Sequence, residues 1–135
     1  MRKFVAVMLA IGLLLVGCGA PDTPPKPGLV TEAEEIVGLW SAGGAYIKFT
    51  EDGQQVTAWT RDMKRPTAIG EYWLEGGQFF EKELEVHNAP SCGEMVGIYE
   101  LQLLDNGNLL FTIVEDECES RAEFHTWTTE YKRVE

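Results

Sequence analysis

Three cysteines (Cys18, Cys92, Cys118), two histidines (His87, His125) and two charged clusters are the groups in this 135-residue chain whose chemistry could exceed solvation. No cysteine belongs to a Cys-x-x-Cys pair or stands at metal-ligand spacing, so neither dithiol redox chemistry nor zinc is indicated. Neither histidine has a Ser or Cys nucleophile recognisably placed with it. A lone histidine in an apolar interior can ligate haem axially, but His125 falls in a run read as an alternating strand, where it is a partly exposed surface residue. Glu115-Asp116-Glu117-Cys118-Glu119 lacks the alternation and glycine of a calcium loop and reads as solvated acids. The acids of 78–86 share one solvent face, with no apolar wall to raise a pKa. No catalytic residue, metal or cofactor is therefore expected, and the chain does not read as an enzyme.

The N-terminus speaks to location. Arg2 and Lys3 precede an apolar run from Phe4 to Val16 that stops at small residues, the order of a secretory signal peptide. The run is too short to span a bilayer comfortably. Leu15-Val16-Gly17-Cys18 resembles the lipobox of bacterial lipoproteins. That resemblance implies removal of residues 1–17, acylation of Cys18, and a domain held outside the cytoplasm in the cell envelope. Gly19, where Asp would stand, removes that family's commonest inner-membrane retention signal. With Cys18 given to lipid, Cys92 and Cys118 remain as an even pair in an oxidising compartment, so a disulfide between them is implied.

Removing 1–17 from 135 residues leaves 118, one domain's worth. Two cations and no acid leave with the leader, taking the net charge from −11 to −13. Such a surface repels phosphate backbones and argues against nucleic-acid binding. It suits solubility or a basic protein partner.

Four of the six prolines (Pro21, Pro24, Pro25, Pro27) fall just after Cys18, so 18–33 reads as a lipidated cysteine and extended tether, with the folded domain at 34–135. Thr31, with Glu34 three residues on, suggests a capped helical turn leading to Ile36-Val37. From Gly38 onward the pattern is strand and turn. Eight strands are expected, at 36–41, 44–50, 54–61, 67–75, 78–86, 96–104, 108–114 and 121–133. Gly- and Asn-bearing tight turns at 51–53, 75–77 and 105–108 alternate with longer loops at 62–66, 87–95 and 115–120. Sequential antiparallel strands leave exposed edges unless the sheet closes, so the expected fold is all-β, an eight-stranded antiparallel up-and-down barrel. The tight turns then share one end and the longer loops the other, with Cys92 and Cys118 together at the loop end.

Gly38-Leu39-Trp40, after a short turn and at the start of the first strand, resembles the Gly-x-Trp signature of the lipocalins. The resemblance implies a lipocalin-like barrel whose Trp40 closes the bottom and packs under an Arg of the last strand, the position of Arg133. It covers about residues 34–135. The chain is shorter than typical lipocalins, its connection Ser41-Ala42-Gly43-Gly44 is too short for their lid loop, and no C-terminal helix is expected. Bacterial outer-membrane lipocalins and the smaller lipoprotein inhibitors of lysozyme both stay open as relatives.

Such a barrel either fills with side chains or holds one small ligand. The face read as inward carries Ile47, Phe49, Tyr72, Leu74, Phe80, Leu84, Tyr99, Leu101, Phe111, Ile113 and Phe124. As a pocket it offers Phe49, Phe80 and Phe111 as apolar wall and Tyr72 and Tyr99 as polar handles. Lys82 on that face needs a partner, unless a register slip turns it outward. Arg61, Lys64 and Arg65, the basic cluster of the mature chain, either collect an anionic head group at the mouth or are a solvated loop. The function expected is a tethered extracytoplasmic barrel that binds a small apolar or amphipathic ligand. The alternative is a protein-interaction or inhibitor module acting through its acidic wall or mouth loops. A cavity above about 300 Å³ favours the first.

Overall fold

The computed structural model describes residues 26–127 and 129–134. The leader 1–17, Cys18 and the first part of the proline-rich segment lie outside the described residues. Eight strands follow in chain order: β1 (Gly38–Ala42), β2 (Ala45–Phe49), β3 (Gln54–Ala58), β4 (Pro66–Glu75), β5 (Gln78–Val86), β6 (Val96–Leu103), β7 (Leu109–Glu115) and β8 (Glu130–Arg133). Each pairs antiparallel with the next, and β1 pairs with β8, so the fold is a closed up-and-down barrel. This is the architecture that strand alternation and alternating connection lengths predict, and it is consistent with a lipocalin-like fold. The turns β2–β3, β4–β5 and β6–β7 lie at one end, here the bottom, and the longer connections at the other, the mouth.

The bottom half is solid. Phe49, Tyr72, Phe79, Tyr99 and Phe111 are buried and touch ring to ring, with centroids between 5.1 and 6.5 Å apart. Below them Trp40 is fully buried and donates its indole N–H to the Ile36 carbonyl at 2.8 Å. Arg133 lies over the Trp40 ring, its Cζ 4.2 Å from the centroid, and donates to the carbonyls of Val37 and Glu35. Gly38 has a φ of 130°, which only glycine adopts readily, and so supports the corner leading into Trp40.

Three expectations are corrected. First, the segment read as tether becomes part of the domain by residue 26. Lys26 pairs with Glu100, Leu103 N–H donates to the Gly28 carbonyl, and Val30 N–H donates to the Leu101 carbonyl while its side chain is fully buried. Residues 26–30 thus pair with the lower part of β6, below the Val96–Tyr99 stretch that pairs with β5. The turn after it, a 3-10 helix at Ala33–Glu35, is capped by the Glu35 carboxylate, which accepts from the N–H groups of Thr31 and Glu32.

Second, β5 faces the opposite way. Phe79 and Glu81 are buried, whereas Phe80 stacks on Trp73 outside and Leu84 is 59% exposed. The turn explains it. Gly76-Gly77 forms a two-residue connection that pairs Glu75 with Gln78, Leu74 with Phe79 and Tyr72 with Glu81. An inward Tyr72 therefore carries Glu81 inward with it. Lys82 accordingly points out and pairs with Glu94 at 2.5 Å.

Third, the last expected strand, 121–133, is mostly helix. Helix α1 (Glu119–Trp127) crosses from the disulfide toward β8, which is only four residues long. Its one inward face is polar, Arg121 and His125 at i and i+4, so no apolar helical stripe marks it.

Candidate ligand-binding site

Above the aromatic floor the barrel opens into a pocket of about 480 Å³. Its wall is Gln55, Thr57 and Trp59 from β3 and its following residue, Thr67 to Gly70 from β4, and Glu81, Glu83 and Val86 from β5. Residues 87–90 and α1, through Ser120, Arg121, Phe124 and His125, complete it. Side chains thus fill the bottom half of the barrel, and space remains at the mouth.

A buried polar layer separates the two. Glu81, 1% exposed, accepts from Gln55 Nε2 at 2.5 Å and meets His125 Nε2 at 2.7 Å. His125 lies flat on Phe111, with ring centroids 4.8 Å apart and planes 11° from parallel. Arg121 Nε and Nη2 hold the two Asp116 oxygens at 2.7 and 2.8 Å, and Nη2 also reaches the Met95 carbonyl. Tyr99 donates its hydroxyl to Asp116. The layer is possible because Gly97, opposite Glu81 on β6, has no side chain: a Cβ there would stand 2.7 Å from Asp116 Oδ2 and 3.0 Å from Arg121 Nε.

The electrostatics follow from that packing. Burial alone would raise the Glu81 carboxyl, but attraction to His125, the bonds from His125 and Gln55, and Arg121 hold it below its ordinary value. Asp116 is held down in the same way, its burial outweighed by Arg121, Tyr99 and the Cys118 N–H. Burial and the neighbouring acids push the Tyr99 hydroxyl far up, so it stays a donor. Among the described residues, three buried polar atoms in this layer have no hydrogen-bond partner: Gln55 Oε1, Arg121 Nη1 and His125 Nδ1. Each leaves hydrogen-bonding capacity unused in a place where that is costly.

Cys92 and Cys118 form a disulfide that ties the β5–β6 loop to the start of α1, at the mouth as the topology predicts. Asp116 Oδ1 accepts from Cys118 N–H just ahead of the helix. Asp116 is therefore a buried ion-pair partner, not one of a run of solvated acids. Among the described residues no cluster of three His, Cys, Asp or Glu side chains could hold a metal ion.

The residues expected to bind ligand are distributed differently. Phe49, Tyr72, Tyr99 and Phe111 lie in the packed floor, below the pocket. Tyr72 and Tyr99 are not free handles, since Tyr72 donates to the Thr50 carbonyl at 2.6 Å and Tyr99 to Asp116. Phe80 is on the outer wall. Arg61, Lys64 and Arg65 do not reach the pocket: their loop lies against the outside, where Arg61 shares a groove with Gly38, Leu39 and Lys48. The pocket's cation is Arg121 instead, and His125 is buried, 2% exposed, not at the surface.

Trp59, 60% exposed, and Phe124 meet edge to face at the rim, centroids 6.5 Å apart. They continue into a shallower groove with Gly43, Glu123 and Trp127. The signal for the buried layer was present in part. The Gly-Gly turn sets the β5 register and hence Glu81, while Arg121 and His125 carry helical spacing without hydrophobicity. No family model, no curated protein and no solved structure matches this chain.

Proposed function

We propose that this protein is a membrane-tethered extracytoplasmic lipoprotein, lipocalin-like in fold, whose barrel binds a small amphipathic molecule at its mouth. One observation carries the binding reading: the pocket of about 480 Å³, above the size at which a carrier is favoured over a filled tube. Apolar side chains in its lining, among them Ile47, Trp59, Ile69, Val86 and Phe124, beside the buried polar layer of Glu81, Arg121 and His125, match a ligand with an apolar body and a polar head. The role is binding, not catalysis.

The anchor rests on the leader and lipobox; among the described residues no helix is long and apolar enough to cross a membrane. Acylation of Cys18 would tether the chain at the barrel bottom, where residues 26–30 join the fold, so the mouth faces away from the bilayer. A carrier held this way collects ligand from the surrounding space.

Two measurements test these halves separately. Labelled palmitate fed to the native host should appear in the wild-type protein and be absent from Cys18→Ser; label in both contradicts the anchor. Titration with hexan-1-ol should change tryptophan emission saturably through Trp59, and the change should vanish in Trp59→Phe. A linear, non-saturating response contradicts the pocket.

A further inference from the structure

We propose that the shallow groove beside the pocket is a docking site for an arginine-bearing segment of a basic protein partner. Such docking goes beyond ligand binding in the barrel and stands without it.

Helix α1 has two working faces. Arg121 and His125 are buried against the barrel. Ser120, Glu123, Phe124 and Trp127, at i, i+3, i+4 and i+7, share the neighbouring face. With Trp59 and Gly43 they line a groove of about 370 Å³. Trp127 is 79% exposed and Trp59 60%, the two most exposed large apolar side chains among the described residues. Both stand in one concave surface bordered by polar groups, the pattern of an interaction site and not of scattered surface residues.

Charge selects the partner. Glu115, Glu117, Glu119 and Glu123 are exposed along the chain that leads into α1 and forms its first half. Among the described residues no cation pairs with any of them. Arg121, the one Lys or Arg of this stretch, is buried and committed to Asp116 through two hydrogen bonds. The basic loop after Trp59 turns to the outer wall, where Arg61 lines a separate groove. Among the described residues no Lys or Arg lines the Trp59–Trp127 groove. An anion there would meet uncompensated carboxylates, whereas a cation meets opposite charge and aromatic rings. A planar guanidinium also stacks on indole and forks onto a carboxylate, which a compact ammonium does not.

Magnitude sets the kind of partner. One exposed cation–π contact adds about two- to fivefold in affinity, and one exposed ion pair no more. A free small cation is therefore not held. A segment with several arginines engages the groove and the acids leading to it together, and its contacts reinforce one another.

Calorimetry at low ionic strength on the intact mature protein tests the proposal, with a peptide of alternating arginine and glycine as the probe. The peptide should bind one to one and saturably. Its citrulline analogue, which keeps the shape and loses the charge, should bind about tenfold more weakly. Trp127→Ala and Glu123→Gln, both at exposed positions, should each weaken the arginine peptide about threefold. Glu51→Gln, in the β2–β3 turn at the opposite end, should leave it unchanged. Absence of binding, equal binding of the citrulline peptide, or unchanged binding in Trp127→Ala or Glu123→Gln overturns the docking site. A loss in Glu51→Gln as large as in Glu123→Gln also overturns it, as diffuse attraction to an acidic surface. None of these results touches the pocket, because Glu123 and Trp127 lie outside its lining.

Discussion

His125 Nε2 and Glu81 Oε1 sit 2.7 Å apart, one on α1 and one on β5, both almost wholly shielded from water. The contact joins the helix that crosses the mouth to the sheet that forms the tube. It also marks the depth of the pocket, because below this pair lies the packed core of aromatic and aliphatic side chains.

That pair and its neighbour make the domain acid-labile. Glu81 and Asp116 are both held below their ordinary values in the folded state. A depressed carboxyl contributes stability that is fully present above its unfolded value, about 4, and is lost as pH falls through the folded value. The urea midpoint should be level from pH 7 to about 5 and fall steadily below about 4. Glu81→Gln should make that fall shallower. A midpoint that rises on acidification contradicts the charge assignment.

Gly97 is a packing requirement, not a hinge. Gly97→Ala places a methyl group 2.7 Å from both Asp116 Oδ2 and Tyr99 Cε2. Overpacking of this kind costs about 1–3 kcal/mol. Thermal unfolding of the variant reads it directly, and a wild-type melting curve would show that the ion-pair layer yields freely.

At the opposite end, Trp40→Ala removes a fully buried ring together with the platform under Arg133. The loss should be about 3–5 kcal/mol, as for other core aromatic truncations. Near-neutral stability would remove Trp40 as the closure of the barrel bottom.

The disulfide joins residues 26 apart in sequence. Its removal by Cys92→Ser with Cys118→Ser should cost about 3–4 kcal/mol in the chain-entropy model. Free-thiol labelling of the denatured, non-reduced mature domain should find none; two reactive thiols contradict the bond.

How much of this was legible in the sequence depends on which force set each element. The strands alternate and their turns carry glycine or asparagine, so the barrel and the meeting of Cys92 with Cys118 could be read from order alone. The face of β5 is ambiguous in the sequence because Phe79 and Phe80 are both aromatic, and either satisfies a buried position. Only the Gly76-Gly77 register, which links Tyr72 to Glu81, decides between them. The helix was hidden because its buried residues are Arg121 and His125, and hydrophobic periodicity is silent where a helix packs through charges. The candidate site lies where β5 and α1 meet, so Glu81, Arg121 and His125 carry no sequence signal of their own, while the rings that alternation points inward form the core beneath it.

Native mass spectrometry of the protein purified from its own host, beside the same preparation of Ala68→Phe, tests the binding claim most directly. Ala68 lines the pocket opposite Thr57, and a ring there fills the space without touching the aromatic floor's own positions. The wild-type protein should carry one retained small molecule per chain, and Ala68→Phe, folded and disulfide-bonded, should carry none. An empty wild-type protein, or equal retention by both, would contradict the account.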